Sequence, residues 1–190
     1  MIIAIVGKTN SGKDTAAQYI HDTYNIPFVV SATTRPMRDY ETDGREHWFI
    51  SKEEMEELKA RDDVLAYTIN DKTGIEYAAT LKDIPEGSDC IYIINPEGIR
   101  WFKRYGPKGI DISAIYIDCD EETIIHRGVH RGDNPEVLWK RLDSERTEFN
   151  AYKANGDYDY LVDNNGDKDY MLAQIDEVAS HLNISREEER

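Results

Sequence analysis

The segment Gly7-Lys8-Thr9-Asn10-Ser11-Gly12-Lys13-Asp14-Thr15 sets two glycines and two lysines between an apolar run and an amphipathic one. Glycines let a backbone turn successive N–H groups inward around an anion. A helix opening directly afterwards adds its positive dipole end, and a lysine at position 13 reaches terminal phosphates. Gly7, Asn10, Ser11, Gly12, Lys13, Asp14 and Thr15 are therefore candidates for holding the phosphates of a nucleoside triphosphate. The general pattern has Ser or Thr after the lysine to hold magnesium, whereas here Asp14 stands there and Thr15 follows. Asp14 could hold Mg²⁺ through water, Thr15 could substitute, or Asp14 is simply an acid favoured at a helix N-terminus.

A second group follows in Ser31-Ala-Thr-Thr-Arg35-Pro-Met-Arg38-Asp-Tyr-Glu41-Thr-Asp-Gly44-Arg-Glu-His47-Trp-Phe49. Two arginines three apart, beside threonines, make a second anion site, because a guanidinium offers a planar fork that matches phosphate oxygens. The whole chain of 190 residues carries a net charge of −15. Such a chain is repelled by duplex DNA and by anionic lipid, so nucleic acid and membrane are excluded as expected partners. A phosphate-bearing ligand must be small and must meet this local basic cluster. Lys8, Lys103 and Lys108 read as ordinary surface lysines, and Trp48 as packing of its own small lobe.

These groups need elements to position them. Ile2–Val6, Phe28–Val30, Ile91–Ile94, Ile112–Ile117 and Tyr160–Val162 are short, apolar and rich in β-branched or aromatic residues, as strands buried on both faces are. Helical patterns separate most of them: Lys13–Tyr24, Pro96–Tyr105, Glu121–Arg127, a longer one from Pro135 capped by Asn134, and a last one capped by Asp167. Strand–helix alternation predicts one α/β domain on a parallel sheet. Residues 33–82 break the alternation with short polar strands, a Ser51–Glu54 capping box and no parallel-strand candidate, so they read as an inserted lobe. Residues 127–134, RGVHRGDN, lack an apolar face and read as a mobile loop with Gly128 and Gly132 as hinges. The tail SREEER reads as frayed. Cys90 and Cys119 lie in or beside apolar strands and read as buried free thiols. With no basic region ahead of the first apolar run, the chain reads as cytoplasmic.

On these residues the sequence resembles the guanylate kinases, a family of P-loop nucleoside monophosphate kinases. SATTRPMRDYETDGREHWF is similar to their monophosphate-binding signature. Tyr77, Gly98, Arg127, Arg131, Gly132, Lys140-Arg141-Leu142 and YDYLVDN with Asn164 follow in the family's order. The resemblance implies a P-loop fold with a five-stranded parallel sheet flanked by helices, in a single domain. Its core would be 1–32, 83–126 and 135–184, its monophosphate-binding lobe 33–82 and its lid 127–134. It implies ATP and Mg²⁺, a nucleoside monophosphate such as GMP or dGMP, and a monomer or homodimer. Lys13, Arg131 and Arg141 would stabilise the phosphoryl group in flight. Ser31, Arg35, Arg38, His47, Tyr77 and Asn95 would hold the monophosphate, with Glu41 structural. Arg127 and Asn164 would lie near the donor adenine.

The departures lie at the base. His47 replaces a tyrosine and Tyr40 a glycine. Where the family places a glutamate, a small hydroxyl residue and two aspartates, this chain has Ala66, Ala79, Ile93 and Asn95. A carboxylate reads guanine through two adjacent N–H donors, so either another base is read or Glu76 supplies the acid. Tyr40, Tyr67 and Tyr77 are candidates for stacking on a base. The loop spelling Ser11-Gly12-Lys13-Asp14-Thr15 is also similar to phage-type deoxynucleoside monophosphate kinases. Two other readings stay open at this level: a non-catalytic binding module of the same fold, and a stand-alone ATPase or GTPase.

Overall fold

The structure is a computed structural model that describes residues 1–39, 41–70 and 73–186. Its centre is β1 (Ile2–Val6), paired in parallel with β6 (Cys90–Ile93) on one side and β7 (Ile112–Asp118) on the other. Next to β7 comes β8 (Tyr160–Asp163), giving the order β6-β1-β7-β8. Every residue of β1 is buried, because alternate side chains feed two cores. Ile2, Ala4 and Val6 face α3 (Pro96–Tyr105) and α5 (Pro135–Asn155), where Ile99, Phe102, Phe149 and Tyr152 close the layer. Ile3 and Ile5 face α1 (Lys13–Tyr24) and α6 (Lys168–His181) through Ile20, Met171 and Ile175. A strand packed on both faces has no polar side to show, which is why it reads as unbroken apolar sequence.

The expected fifth strand, Phe28–Val30, is reduced to one parallel bridge between Phe28 and Ile91. It is made by Val29 N–H to Ile91 O (2.8 Å) and Ile91 N–H to Pro27 O (2.8 Å). It stops there because the next residues serve another sheet. The Ser31 carbonyl accepts from Trp48 N–H at 3.0 Å, and β2 (Ala32–Thr33) pairs with β3 (Trp48–Phe49) and β5 (Ile75–Thr80). With β4 (Val64–Asn70) this second sheet runs β3-β2-β5-β4 and carries α2 (Lys52–Lys59), whose Ser51–Glu54 capping box is present. As expected of an inserted lobe, none of its strands joins the β6-β1-β7-β8 sheet, although the short β2–β3 pair is itself parallel. Two residues per strand leave no periodicity to read.

The expected mobile loop at 127–134 is half helix. α4 runs Glu121–His130, and only residues 131–134 connect it to α5. Gly128 is no hinge in this conformation. It is buried where α4 meets α5, and a β-carbon there would stand 2.5 Å from Leu138 Cδ2. Gly132, with φ 90° and open space around it, does have the backbone of a hinge. Both cysteines are buried free thiols. Ile184 packs into the core, and Arg186, within the tail read as frayed, pairs with Asp176 at 2.8 Å. Residues 187–190 and Tyr40 lie outside the described residues. No helix among the described residues is long and apolar enough to cross a membrane.

The α4–α5 contact predicts that Gly128→Val overpacks against Leu138 and lowers unfolding stability by about 1–3 kcal/mol. Urea denaturation checks this, and an unchanged midpoint contradicts the packing role.

Candidate active site

The loop after β1 lies at the carboxyl end of the central strand, where the chain connections diverge to the two sides of the sheet and open sheets leave a crevice. Gly12 takes φ 95°, a left-handed conformation, and opens α1 with no side-chain cap. The first-turn amides of α1 are thus left for an anion. Gly12 must also be small, because a β-carbon would collide with the Asn164 side-chain amide.

The loop is held from outside, residue by residue. Lys8, 9% exposed, is no surface lysine: it pairs with Glu121 at 3.3 Å, and Glu121 in turn binds Arg146 at 2.8 Å. Thr9 donates through its amide (2.8 Å) and its hydroxyl (3.0 Å) to the two oxygens of Glu145. Asn10 donates to Asp133 at 3.0 Å. Asn164, buried at the end of β8, donates to the Ser11 carbonyl at 2.7 Å. Arg127 spans the same corner, giving hydrogen bonds to Asn164 O (2.8 Å) and Gly166 O (2.6 Å). Asn164 and Arg127 therefore meet each other and the loop, and neither lines the cleft described next.

That cleft, about 420 Å³, joins the loop to the second sheet. Gly7, Thr9, Lys13 and Asp14 line one end, and Ser31, Arg35, Arg38, His47 and Tyr77 the other. Asn95 completes the wall. Two separated basic groups thus face one space. Arg35 is positioned by a buried fork: its two terminal nitrogens each donate to one oxygen of Glu41 at 2.6 Å. Glu41 also accepts from the Arg38 amide at 2.9 Å. The Arg35 guanidinium, opposed by burial, holds the Glu41 carboxyl down at about 2. His47 sits against Ser31, its Nδ1 3.1 Å from Ser31 Oγ and 3.3 Å from Ser31 O, and edge-on to Tyr77. Burial, then Arg35, pushes its pKa below the ordinary value, so it is neutral at pH 7. The carbonyl can only accept, so Nδ1 carries the proton.

Other expected residues stand outside this space. Arg131 is exposed and paired with Asp133 at 3.0 Å. Arg141 is exposed on α5, close enough to Asp133 to lower its pKa further. Thr15 is exposed and absent from the cleft lining, while Asp14 lines it and pairs with Lys13 at 3.1 Å. A lone carboxylate beside a phosphate loop suits Mg²⁺, which keeps most of its waters and takes one or two carboxylates plus phosphate oxygens. The described residues hold no ready-made cluster of metal-ligating side chains.

Glu76 does not supply a base-reading acid. It lies on the opposite face of β5 from Tyr77 and is taken by Lys59 (2.9 Å) and by the Tyr67 hydroxyl (2.6 Å). Sequence reasoning missed Thr68, Glu145 and Glu148 in the cleft lining. The alternation of β4 carries a signal for Thr68, whereas the two glutamates sit on a charged helix with nothing to mark them.

The family profile described as "Guanylate kinase" matches residues 1–182. A guanylate kinase of Carboxydothermus hydrogenoformans is 32% identical over 170 residues, spanning 85% of this chain and 79% of the relative. One of Clostridioides difficile is 30% identical over 168 residues, spanning 86% and 80%. The crystal structure of guanylate kinase from Anaplasma phagocytophilum superposes with a TM-score of 0.64 at 19% identity, over 96% of this chain and 84% of that one. The last likeness speaks to the fold.

Glu41→Ala leaves Arg35 buried without its fork partner and is expected to cost about 3–5 kcal/mol. Because the folded pKa of Glu41 is depressed, the stability it contributes is complete above the unfolded carboxylate value, near ~4.3, and is lost as pH falls towards about 2. Urea midpoints from pH 7 to pH 3 should fall more steeply for the wild type than for Glu41→Ala; parallel slopes contradict the fork.

Proposed function

The chain belongs to the guanylate kinase family, and from that premise we propose that it moves the γ-phosphoryl group of ATP onto GMP, dGMP or a related (deoxy)nucleoside monophosphate. That it is a nucleoside monophosphate kinase follows from the family. The observation that carries the finer reading is the single cleft with a phosphate loop at one end and Arg35, Arg38, His47 and Tyr77 at the other.

The reaction asks little covalent chemistry of the protein. An oxygen of the acceptor phosphate attacks the γ-phosphorus, the bond to the β,γ-bridging oxygen breaks, and ADP leaves. The nucleophile is already an oxyanion and needs no general base. The loop amides and Lys13 hold the donor phosphates, while Arg35 and Arg38 hold the acceptor phosphate against its charge repulsion with ATP. Asp14 would hold Mg²⁺ through water, and the ion would supply charge neutralisation for the transferring phosphates. Arg131 and Arg141 meet around Asp133 at the edge of the loop, and closure about Gly132 brings Arg131 to the phosphoryl group. Closure also excludes water, which otherwise would take that group. The strongly acidic composition suits a cytoplasmic enzyme whose partners are its nucleotides.

A coupled assay for ADP release with Mg-ATP, blanked by Lys13→Ala, tests the reading. Turnover is expected only when a nucleoside monophosphate is present, and its absence with every acceptor contradicts the proposal. Arg131→Ala is expected to lower kcat at least 100-fold while ATP affinity changes less than about threefold. Equal losses in both would remove Arg131 from the transition state.

A further inference from the structure

Three carboxylates line the cleft. Asp14 belongs to the phosphate loop and pairs with Lys13, and Glu145 gives its two oxygens to Thr9. Glu148 is held differently. The Glu97 amide (2.9 Å) and the Arg100 guanidinium (3.1 Å) both donate to its Oε1, whereas Oε2 takes no hydrogen bond among the described residues. The first turn of α3 and Arg100 balance the charge, so the carboxylate is fixed in place with one oxygen uncommitted. Its side chain is 29% exposed, so a ligand filling the cleft takes this carboxylate from water and must return a donor to it.

The sheet sets the place. Ile91 of β6 pairs with Ile3 of β1 on one edge and bridges to Phe28 on the other, all in parallel, so the three carboxyl ends lie together. The phosphate loop leaves β1, the chain towards Arg35 follows Phe28, and α3 leaves β6 between them. Asn95, the cap of α3, lines the cleft as Glu148 does, and the amide that holds Glu148 is two residues further on. An acceptor reaching from Arg35 and Arg38 towards the loop thus passes Glu148. The phosphates of both nucleotides are anions that a carboxylate repels, so the part of the acceptor that suits Oε2 is the nucleoside.

We infer that Glu148 is a specificity-determining residue of the acceptor site. Its Oε2 accepts a hydrogen bond from a neutral donor of the acceptor nucleoside, either an exocyclic amine of the base or a ribose hydroxyl. The inference rests on the kinase reading and adds to it a group that ranks one acceptor above another.

Glu148→Gln probes this without disturbing the frame. The Glu97 amide and Arg100 can only donate, so the glutamine places its oxygen on them and leaves NH₂ where Oε2 stood. The hold on α3 is kept, and an acceptor becomes a donor. The measurement is kcat/KM with Mg-ATP for wild type and variant. It is made on the favoured acceptor among GMP, AMP, CMP, UMP and dTMP, then on analogues lacking in turn its exocyclic amine, its 2′-hydroxyl and its 3′-hydroxyl. On the favoured acceptor the substitution should lower kcat/KM roughly 10- to 100-fold, with the KM for ATP and the urea midpoint unchanged. On the one analogue that lacks the donor it should cost less than about threefold. An insensitive amine-free analogue names the base as the source, and an insensitive deoxy analogue names the ribose. A substitution without effect on the favoured acceptor, or with the same effect on every analogue, overturns the inference and leaves the kinase reading intact. No wild-type turnover with any acceptor overturns both.

Discussion

A loop that leaves the first-turn amides of α1 open for an anion is electrostatically unfavourable until the anion arrives, so something other than the anion must hold it. Here four partners do. Glu121, Glu145 and Asp133 take Lys8, Thr9 and Asn10, and Asn164 takes the Ser11 carbonyl. The three acids come from α4, α5 and the link between them, which is the region that carries Arg131 and Arg141. The donor-phosphate site and the closing arginines are therefore parts of one hydrogen-bonded frame. Asp133 shows the economy of this: in one group it neutralises Arg131, restrains Asn10 and lies near Arg141.

The second anion site follows a different design. Arg35 is buried, and a buried guanidinium is stable only with its fork filled. Glu41 fills it from within the same loop, six residues on, and the Arg38 amide closes the turn between them. The cost of ordering this loop is met by folding, so an acceptor phosphate finds Arg35 already in place. His47 adds a neutral ring between Ser31 and Tyr77, so the positive charge at this end comes from the two arginines.

Much of this was legible in the sequence where the signal is local. β1, the loop and α1 form one contiguous pattern, and Asn134-Pro135, Asp167 and Ser51–Glu54 start their helices where capping chemistry puts them. The failures share a cause, which is dependence on partners far along the chain. Gly128 reads as a breaker until Leu138 is known to pack against it. Phe28–Val30 reads as a full strand until Ser31 is seen paired with Trp48. Lys8 reads as surface charge because its partner lies 113 residues away, and Glu145 goes unmarked because its partner lies 136 away. Thr68 is a different case: its alternation with Ala66 on β4 marks its face, but only the fold says that the face is a cleft.

The central claim is that one cleft holds both phosphate chains at once. Binding of a bisubstrate analogue, adenosine joined to an acceptor nucleoside through five phosphates, tests it most directly by calorimetry. Linking two ligands that occupy adjacent sites makes the second binding event intramolecular, so the analogue should bind at least about 100-fold more tightly than ATP alone. That gain should vanish in Arg38→Ala while ATP binding persists. An analogue that binds no more tightly than ATP, or one indifferent to Arg38, would contradict the account.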